Sequence, residues 1–292
     1  MKILVIGKNG QLGQSFNKII EDLNHEHKFT FTGRSEIDLS NTYSINNYFK
    51  DHNFDVIINC AAYTDVDNAE LQAESANLIN NKAVELLAEI SNKNKSKFIH
   101  ISTDYVFDGK KEQLYNENDQ TNPINAYGKT KLLGENKIIS LMPENAIIIR
   151  TSWLYSNYGK NFVDSIIKNA LKHKKIDVIN DQYGSPTYSN DLVDVLLKII
   201  ETLDSKKTNI KTQIYHFSGE GNISWFDFAC EIVRIAKIEC IVNPINSNQY
   251  PSLANRPQNT SLNLEKITKE FNLDIKNWKT SLVKYMDLLN TN

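Results

Sequence analysis

The sequence predicts an α/β protein built on a doubly wound parallel sheet, with a smaller α/β lobe assembled from insertions and the C-terminus. Three observations predict it. Short, nearly unbroken apolar runs such as Lys2-Ile3-Leu4-Val5-Ile6 have the look of parallel strands buried on both faces. Stretches with apolar residues at helical spacing lie between them, as in Leu12, Phe16, Ile19, Ile20 and Leu23. From Ser224 onward that alternation stops, and glycine is absent after Gly221.

At 292 residues the chain can bury a full core, and length alone allows one large domain or two. With 40% hydrophobic residues, 23% charged residues and a formal net charge of -2, it has no electrostatic reason to bind nucleic acid or an anionic membrane. The three cysteines, Cys60, Cys230 and Cys240, lack CxxC spacing, so neither a disulfide framework nor a zinc site is expected. A reduced, cytoplasmic setting fits them, as does an opening on a strand-like run with no signal peptide ahead of it. No apolar run is long enough to span a bilayer.

The first strand runs into Gly7-Lys8-Asn9-Gly10-Gln11-Leu12-Gly13 and then a helix, the context in which a glycine fingerprint is credible. Gly7 allows the tight turn, Gly10 the approach of a pyrophosphate to backbone N–H groups, and Gly13 the packing of helix on strand. The spacing is GxxGxxG rather than GxGxxG. Phe29 to Thr32 is the second strand, ending at Gly33-Arg34; an arginine there suits a 2′-phosphate and favours NADPH over NADH, with Glu36 near enough to neutralise it in part. Asp38 and Leu39 follow in the loop expected over the adenine. Asp55 to Asn59 is the third strand, and Cys60-Ala61-Ala62-Tyr63 its small-residue turn, with Cys60 read as a buried hydrophobe rather than a nucleophile.

A long helical stretch is expected from about Asp67 to Ser91. Lys97 to Ser102 is the fourth strand, delivering Ser102-Thr103-Asp104-Tyr105 to the edge where open α/β sheets bind ligands. His100 alternates with apolar residues and reads as a core histidine. Val106 to Pro123 reads as a loop across the substrate mouth. Ala126-Tyr127-Gly128-Lys129-Thr130-Lys131 opens a helix with Leu132, Leu133 and Ile138 toward the core, and Ala146 to Arg150 is the fifth strand, ending at Thr151-Ser152-Trp153. A helix follows from Phe162 to Leu171. Asp177-Val178-Ile179 is expected as the sixth strand, a helix around Leu192 to Ile200 follows, and Ile214 to Phe217 is a late strand. Ser224 is a helix N-cap, Leu253 to Asn263 an ordered loop, and two short helices close the chain. The dinucleotide-binding part is expected to span 1–150 and 176–217, and the substrate lobe 151–175 and 218–292.

Tyr127 and Lys131 are four apart, one above the other on a helix. A phenol ordinarily ionises at about pH 10, and a cation held beside it lowers that value, making a proton donor for a carbonyl oxygen. The pair alone is weak evidence, since the spacing recurs by chance.

Taken together, Gly7 to Gly13, Asn59-Cys60-Ala61-Ala62-Tyr63-Thr64, Ser102-Thr103-Asp104-Tyr105-Val106-Phe107-Asp108-Gly109, Tyr127 to Lys131 and Asn180-Asp181-Gln182-Tyr183-Gly184-Ser185-Pro186-Thr187 resemble the extended short-chain dehydrogenase/reductases, and among them most closely the dTDP-4-dehydrorhamnose reductase family. The resemblance covers nearly the whole chain. It implies a Rossmann-type sheet, an NADPH or NADH cofactor, and reduction of the 4-keto group of dTDP-4-dehydro-L-rhamnose. Tyr127 would be the proton donor, Lys131 would bind the nicotinamide ribose and lower the tyrosine pKa, and Thr103, preferred to Ser102, would hydrogen-bond the reacting oxygen. Gly10, Gln11, Leu12, Ala61, Ala62 and Tyr63 would line the cofactor, with Asp38 and Leu39 near its adenine. Asp104 and Trp153 would touch the sugar, and Arg256 would approach the nucleotide phosphates.

The resemblance also carries a departure. Members that dimerise through magnesium have a glutamate early in the first helix, where Ser15 stands here, so no metal site and no magnesium-bridged dimer are expected, while a homodimer stays open. A reductase or 4-epimerase acting on another nucleotide 6-deoxysugar, and a non-catalytic NADP-binding regulatory subunit, remain the competing readings. Tyr105 after Asp104 disfavours a dehydratase.

Overall fold

Strands β1 (Lys2–Ile6), β2 (Lys28–Thr32), β3 (Val56–Asn59), β4 (Lys97–Thr103) and β5 (Ala146–Thr151) and a sixth strand, Gln213–His216, form one parallel sheet. The computed structural model that shows this describes residues 1–23, 25–206 and 209–290. From one edge the order is β2, β1, β3, β4, β5 and the sixth strand, so the direction of winding reverses between β1 and β3. That reversal opens a crevice at the C-terminal ends of the strands.

Helices cover both faces. Helix α1 (Gln11–Asp22), helix Ser189–Lys206 and helix Glu265–Phe271 bury one face around Ile3, Val5, Ile58, Ile99 and Ile149. On the other, Leu4, Ile6, Ile57, Phe98 and Ile148 meet the helices Thr42–Asp51, Ala83–Asn94 and Ala126–Leu141. Burial on both faces is why the strands read as unbroken apolar runs. Roughly twenty-five cal/mol for each Å² of apolar surface buried makes these two layers the main favourable contribution to folding.

The smaller lobe has its own core of Tyr155, Val163, Tyr188, Phe228, Ile232, Trp278 and Tyr285. Its helix Trp225–Ile235 starts at the expected cap: the Ser224 hydroxyl accepts from the Asp227 N–H while the Asp227 carboxylate accepts from the Ser224 N–H, a capping box. Within this lobe lies a correction. Residues 177–179 belong to a strand, Lys175–Ile179, that is not in the central sheet; it pairs in parallel with Ile241–Ile245. The late strand at Gln213–His216 takes the sixth place beside β5 instead. The parallel rhythm therefore resumes once after Ser224, in a strand that carries Pro244 and pairs on one side only.

Three further expectations change. The stretch from Asp67 to Ser91 is not one helix: it breaks at Gln72 and passes through a π-helical turn at Leu78–Lys82. Leu133 is 45% exposed rather than in the core, whereas Ile138 is buried. Residues 106–123 do not lie across the mouth. Phe107 and Tyr115 stack on each other and pack with Leu262, and Tyr115 exchanges backbone hydrogen bonds with Ser261 and Asn263, drawing the loop onto the C-terminal segment. Ser15 is buried between α1 and helix Ser189–Lys206, its hydroxyl 2.6 Å from that of Ser189. Among the described residues, no helix is long and apolar enough to cross a membrane.

Candidate active site

A cleft of 760 Å³ occupies the crevice, walled by the ends of β1, β3, β4 and β5 and by the start of helix Ala126–Leu141. Its floor is the glycine turn. Gly7 has φ +102°, a region that suits glycine, and a Cβ there would lie 2.9 Å from the Ala61 nitrogen. A Cβ at Gly13 would overlap the Gly7 carbonyl, so that glycine serves the packing of α1 under the turn. Helix α1 begins at Gly10 with no side chain capping it, which leaves its first N–H groups facing the cleft. Uncapped N–H groups at a glycine-lined helix start suit the pyrophosphate of a dinucleotide.

Gly7, Gly10, Gln11, Leu12, Arg34, Asp38, Leu39, Ala61 and Ala62 line this cleft, as do Thr103, Asp104, Tyr127, Lys131 and Trp153. Gly13, Tyr63 and Arg256 do not. Tyr63 holds the wall from behind: its N–H donates to Asn80 Oδ1 at 2.8 Å and its carbonyl accepts from Asn80 Nδ2 at 3.0 Å. The Arg256 guanidinium is taken by Asp67, at 2.7 Å, and by Ser252. Arg34 keeps its side chain 81% exposed, 3.4 Å from Asp38, while Glu36 bonds Lys8 and the Gly33 N–H. It is therefore Asp38, not Glu36, that lies against the arginine.

The chemistry gathers where β4 ends. Thr103 Oγ1 donates to Asp104 Oδ1 at 3.0 Å and accepts from the Tyr105 N–H. Ser102 is turned the other way, its hydroxyl on Glu135 within a buried network in which Arg150 grips both Glu135 oxygens. The geometry thus separates the two neighbours: Thr103 carries the hydroxyl available to the cleft. Burial pushes the Asp104 carboxyl up to about 7, against hydrogen bonds that lower it. Cys60 is a thiol that burial pushes up to about 12.

Helix Ala126–Leu141 presents Tyr127 and Lys131 to the same cleft. Asn125 caps it by accepting from the Gly128 N–H at 2.8 Å, and its Nδ2 ties the start to the Asn255 carbonyl. Asn80, in the π-helical turn, donates to Thr130 and so clamps the helix to the Tyr63 wall. Burial pushes the Tyr127 phenol up to about 12, helped by Asp104 and opposed by the Thr103 hydroxyl. The sequence reading had Lys131 lowering it. The amine is instead turned to His100 Nε2, at 3.0 Å, and to the Ile101 carbonyl, at 2.7 Å.

Four positions escaped the sequence reading of the site. His100, Asn59 and Asn80 orient the lining residues from behind. Trp225 lines the cleft and stacks on Trp153 with centroids 3.4 Å apart, occupying one face of it. Polar residues inside otherwise apolar strands, as at Asn59 and His100, were the signal available for two of them.

Over residues 1–291 the chain matches the family model described as RmlD substrate binding domain. It is 40% identical over 290 residues to the dTDP-4-dehydrorhamnose reductase of Aggregatibacter actinomycetemcomitans, with 96% of this chain and 97% of the relative covered. Two crystal structures of dTDP-4-dehydrorhamnose reductases are similar to it. That from Clostridium acetobutylicum has a TM-score of 0.92 at 37% identity, covering 99% of this chain and 100% of the other. That from Bacillus anthracis, in complex with NADP, has a TM-score of 0.91 at 33% identity, covering 98% and 99%.

Proposed function

The chain belongs to the dTDP-4-dehydrorhamnose reductase family, and from that premise we propose that it reduces the 4-keto group of dTDP-4-dehydro-L-rhamnose to the alcohol of dTDP-L-rhamnose, with NADPH as cofactor. One observation carries the reading: Thr103, Tyr127 and Lys131, from two separate elements, line one cleft with the glycine turn of α1. When bound, the dinucleotide supplies the hydride that reaches C4.

The chain's own residues do the rest. The uncapped start of α1 would hold the pyrophosphate, and Arg34, just past the end of β2, would pair with the 2′-phosphate that distinguishes NADPH. With substrate bound, Thr103 turns its hydroxyl from Asp104 to the ketone oxygen, donating to it and orienting it. Tyr127 gives that oxygen its proton as negative charge builds there, and Lys131 holds the ribose next to it. Trp153, with one face on Trp225, and Asp104 form the wall toward the sugar.

The test is incubation with NADPH and dTDP-4-dehydro-L-rhamnose while the absorbance of reduced nicotinamide is followed. Oxidation with one-to-one formation of dTDP-L-rhamnose is expected; NADPH binding without oxidation would favour a silent binding subunit. Tyr127→Phe should retain NADPH affinity and lose about 10²- to 10⁴-fold in kcat. Unchanged turnover in that variant would remove the assigned acid.

A further inference from the structure

Lys131 ends a chain of hydrogen bonds whose direction is set by the backbone at both ends. The Ala61 N–H donates to Asn59 Oδ1 at 3.1 Å, so the amide turns its Nδ2 toward His100, 3.2 Å from Nδ1. An amide nitrogen only donates, so His100 Nδ1 must accept, and the neutral imidazole then carries its proton on Nε2. That N–H points at Lys131 Nζ, 3.0 Å away, while Nζ itself donates to the Ile101 carbonyl. An ammonium has three donors and no acceptor. It would set N–H against N–H at Nε2, whereas a neutral amine has the lone pair that completes the chain. Asn59 and His100 are fully buried and Lys131 is 1% exposed, so solvent does not relieve the mismatch.

We infer that Asn59 and His100 are positioning residues that hold Lys131 as a neutral amine in the cofactor-free enzyme, and that Lys131 takes up a proton as it turns from His100 to the bound dinucleotide. The inference rests on the reading of Lys131 as the residue that meets the cofactor. Burial points the same way above about pH 8: it lowers Lys131 to about 8 against the pull of Glu135, so the neutral amine prevails beyond that pH, and it holds His100 well below its ordinary range. The groups that face this amine are few. Glu135, a turn along the same helix, is already committed to Arg150 of β5 and to Ser102. On the cleft side stand Tyr127, Asp104 and the Cys60 thiol at the end of β3; near pH 9 Tyr127 and Cys60 are neutral, while Asp104, raised to about 7, is ionised with and without the dinucleotide. Storing the amine uncharged avoids an unpaired buried cation until the dinucleotide arrives with ribose oxygens that can accept from Lys131.

Two measurements test this. Calorimetric titration with NADPH near pH 9 in two buffers of different ionisation enthalpy counts protons. Uptake approaching one per site is expected, with NADPH binding weakening by up to about tenfold per pH unit above about pH 8. No uptake overturns the inference. In Asn59→Asp both oxygens accept, so the His100 proton should move to Nδ1, Lys131 should already be an ammonium, and the uptake should fall toward zero; persistence of full uptake overturns it.

Nitrogen-15 NMR of the free wild-type protein near pH 9 reads the tautomer directly. The proton is expected on Nε2 with Nδ1 bare, and a proton on Nδ1 overturns the chain, even if Asn59→Asp does not fold. This second readout needs no cofactor. NADPH that binds and is never oxidised would remove the reductase reading, while the proton count and the tautomer would still decide this one.

Discussion

Gly128 stands in the first turn of helix Ala126–Leu141, where alanine is ordinarily better by about 1 kcal/mol. An unconstrained Gly128→Ala change would therefore stabilise the protein. Here the added Cβ would overlap the Tyr105 carbonyl and lie 3.1 Å from Pro123 Cβ. Restoring an ordinary carbon–oxygen contact of about 3.3 Å requires the helix start and the Thr103–Tyr105 turn to part by roughly an ångström. That separation is the one between the Tyr127 phenol and the Thr103 hydroxyl. A misplacement of about 1 Å costs on the order of 10²-fold in rate, or about 2.7 kcal/mol of barrier. The expected result is a kcat lowered by about that factor with NADPH affinity little changed, since the glycine turn of α1 is untouched. Steady-state oxidation of NADPH, fluorescence titration of the cofactor and a thermal melt measure the three quantities. A kcat within about threefold of wild type together with a raised Tm would refute the close-contact argument.

Two other perturbations probe buried charge. Glu135→Gln leaves Arg150 without its carboxylate next to His216, 3.5 Å from Nη1, so a loss of about 3–5 kcal/mol is expected, on the order of 10 °C in Tm; a melt unchanged by more than a degree or two would show that the pair is not needed. Asp104 has a carboxyl raised by burial from 3.8 to about 7, so the folded state favours its protonated form and the stability this contributes is lost as pH rises from about 4 through about 7. Asp104→Asn should therefore gain on wild type in urea unfolding at about pH 8 and lose that advantage near pH 4. A difference independent of pH would contradict the buried carboxyl.

The parts of the molecule readable from the sequence are those where local chemistry decides. The strands buried on two faces left unbroken apolar runs, Gly7 left a turn, and Ser224 with Asp227 left a capping box. What was not readable depends on partners far along the chain. Lys175–Ile179 looks like a sheet strand, and only its pairing with Ile241–Ile245 says which sheet. Arg256 looked free for phosphate because its partner, Asp67, is 189 residues away. Val106 to Pro123 lacks periodicity, yet two aromatic side chains are enough to bury its middle. His100 reads as a core residue and Asn59 as the end of a strand; both are buried, and their second role exists only because β3, β4 and helix Ala126–Leu141 meet there.

The phenol that was expected to be lowered and the amine that was expected to lower it depart from expectation for a single reason. Helical spacing put Tyr127 and Lys131 on one face, which is a statement about direction and not about charge. A neutral amine turned to His100 lends a phenol no Coulombic help, so burial, with Asp104 adding to it and the Thr103 hydroxyl opposing it, pushes the phenol up to about 12. Once Lys131 is protonated, the cation and the phenolate left when Tyr127 gives up its proton share a desolvated cleft in which their attraction is several times what water would allow. The proton donor is then tuned by the same event that brings the reductant, and a cleft without its dinucleotide holds a weaker acid.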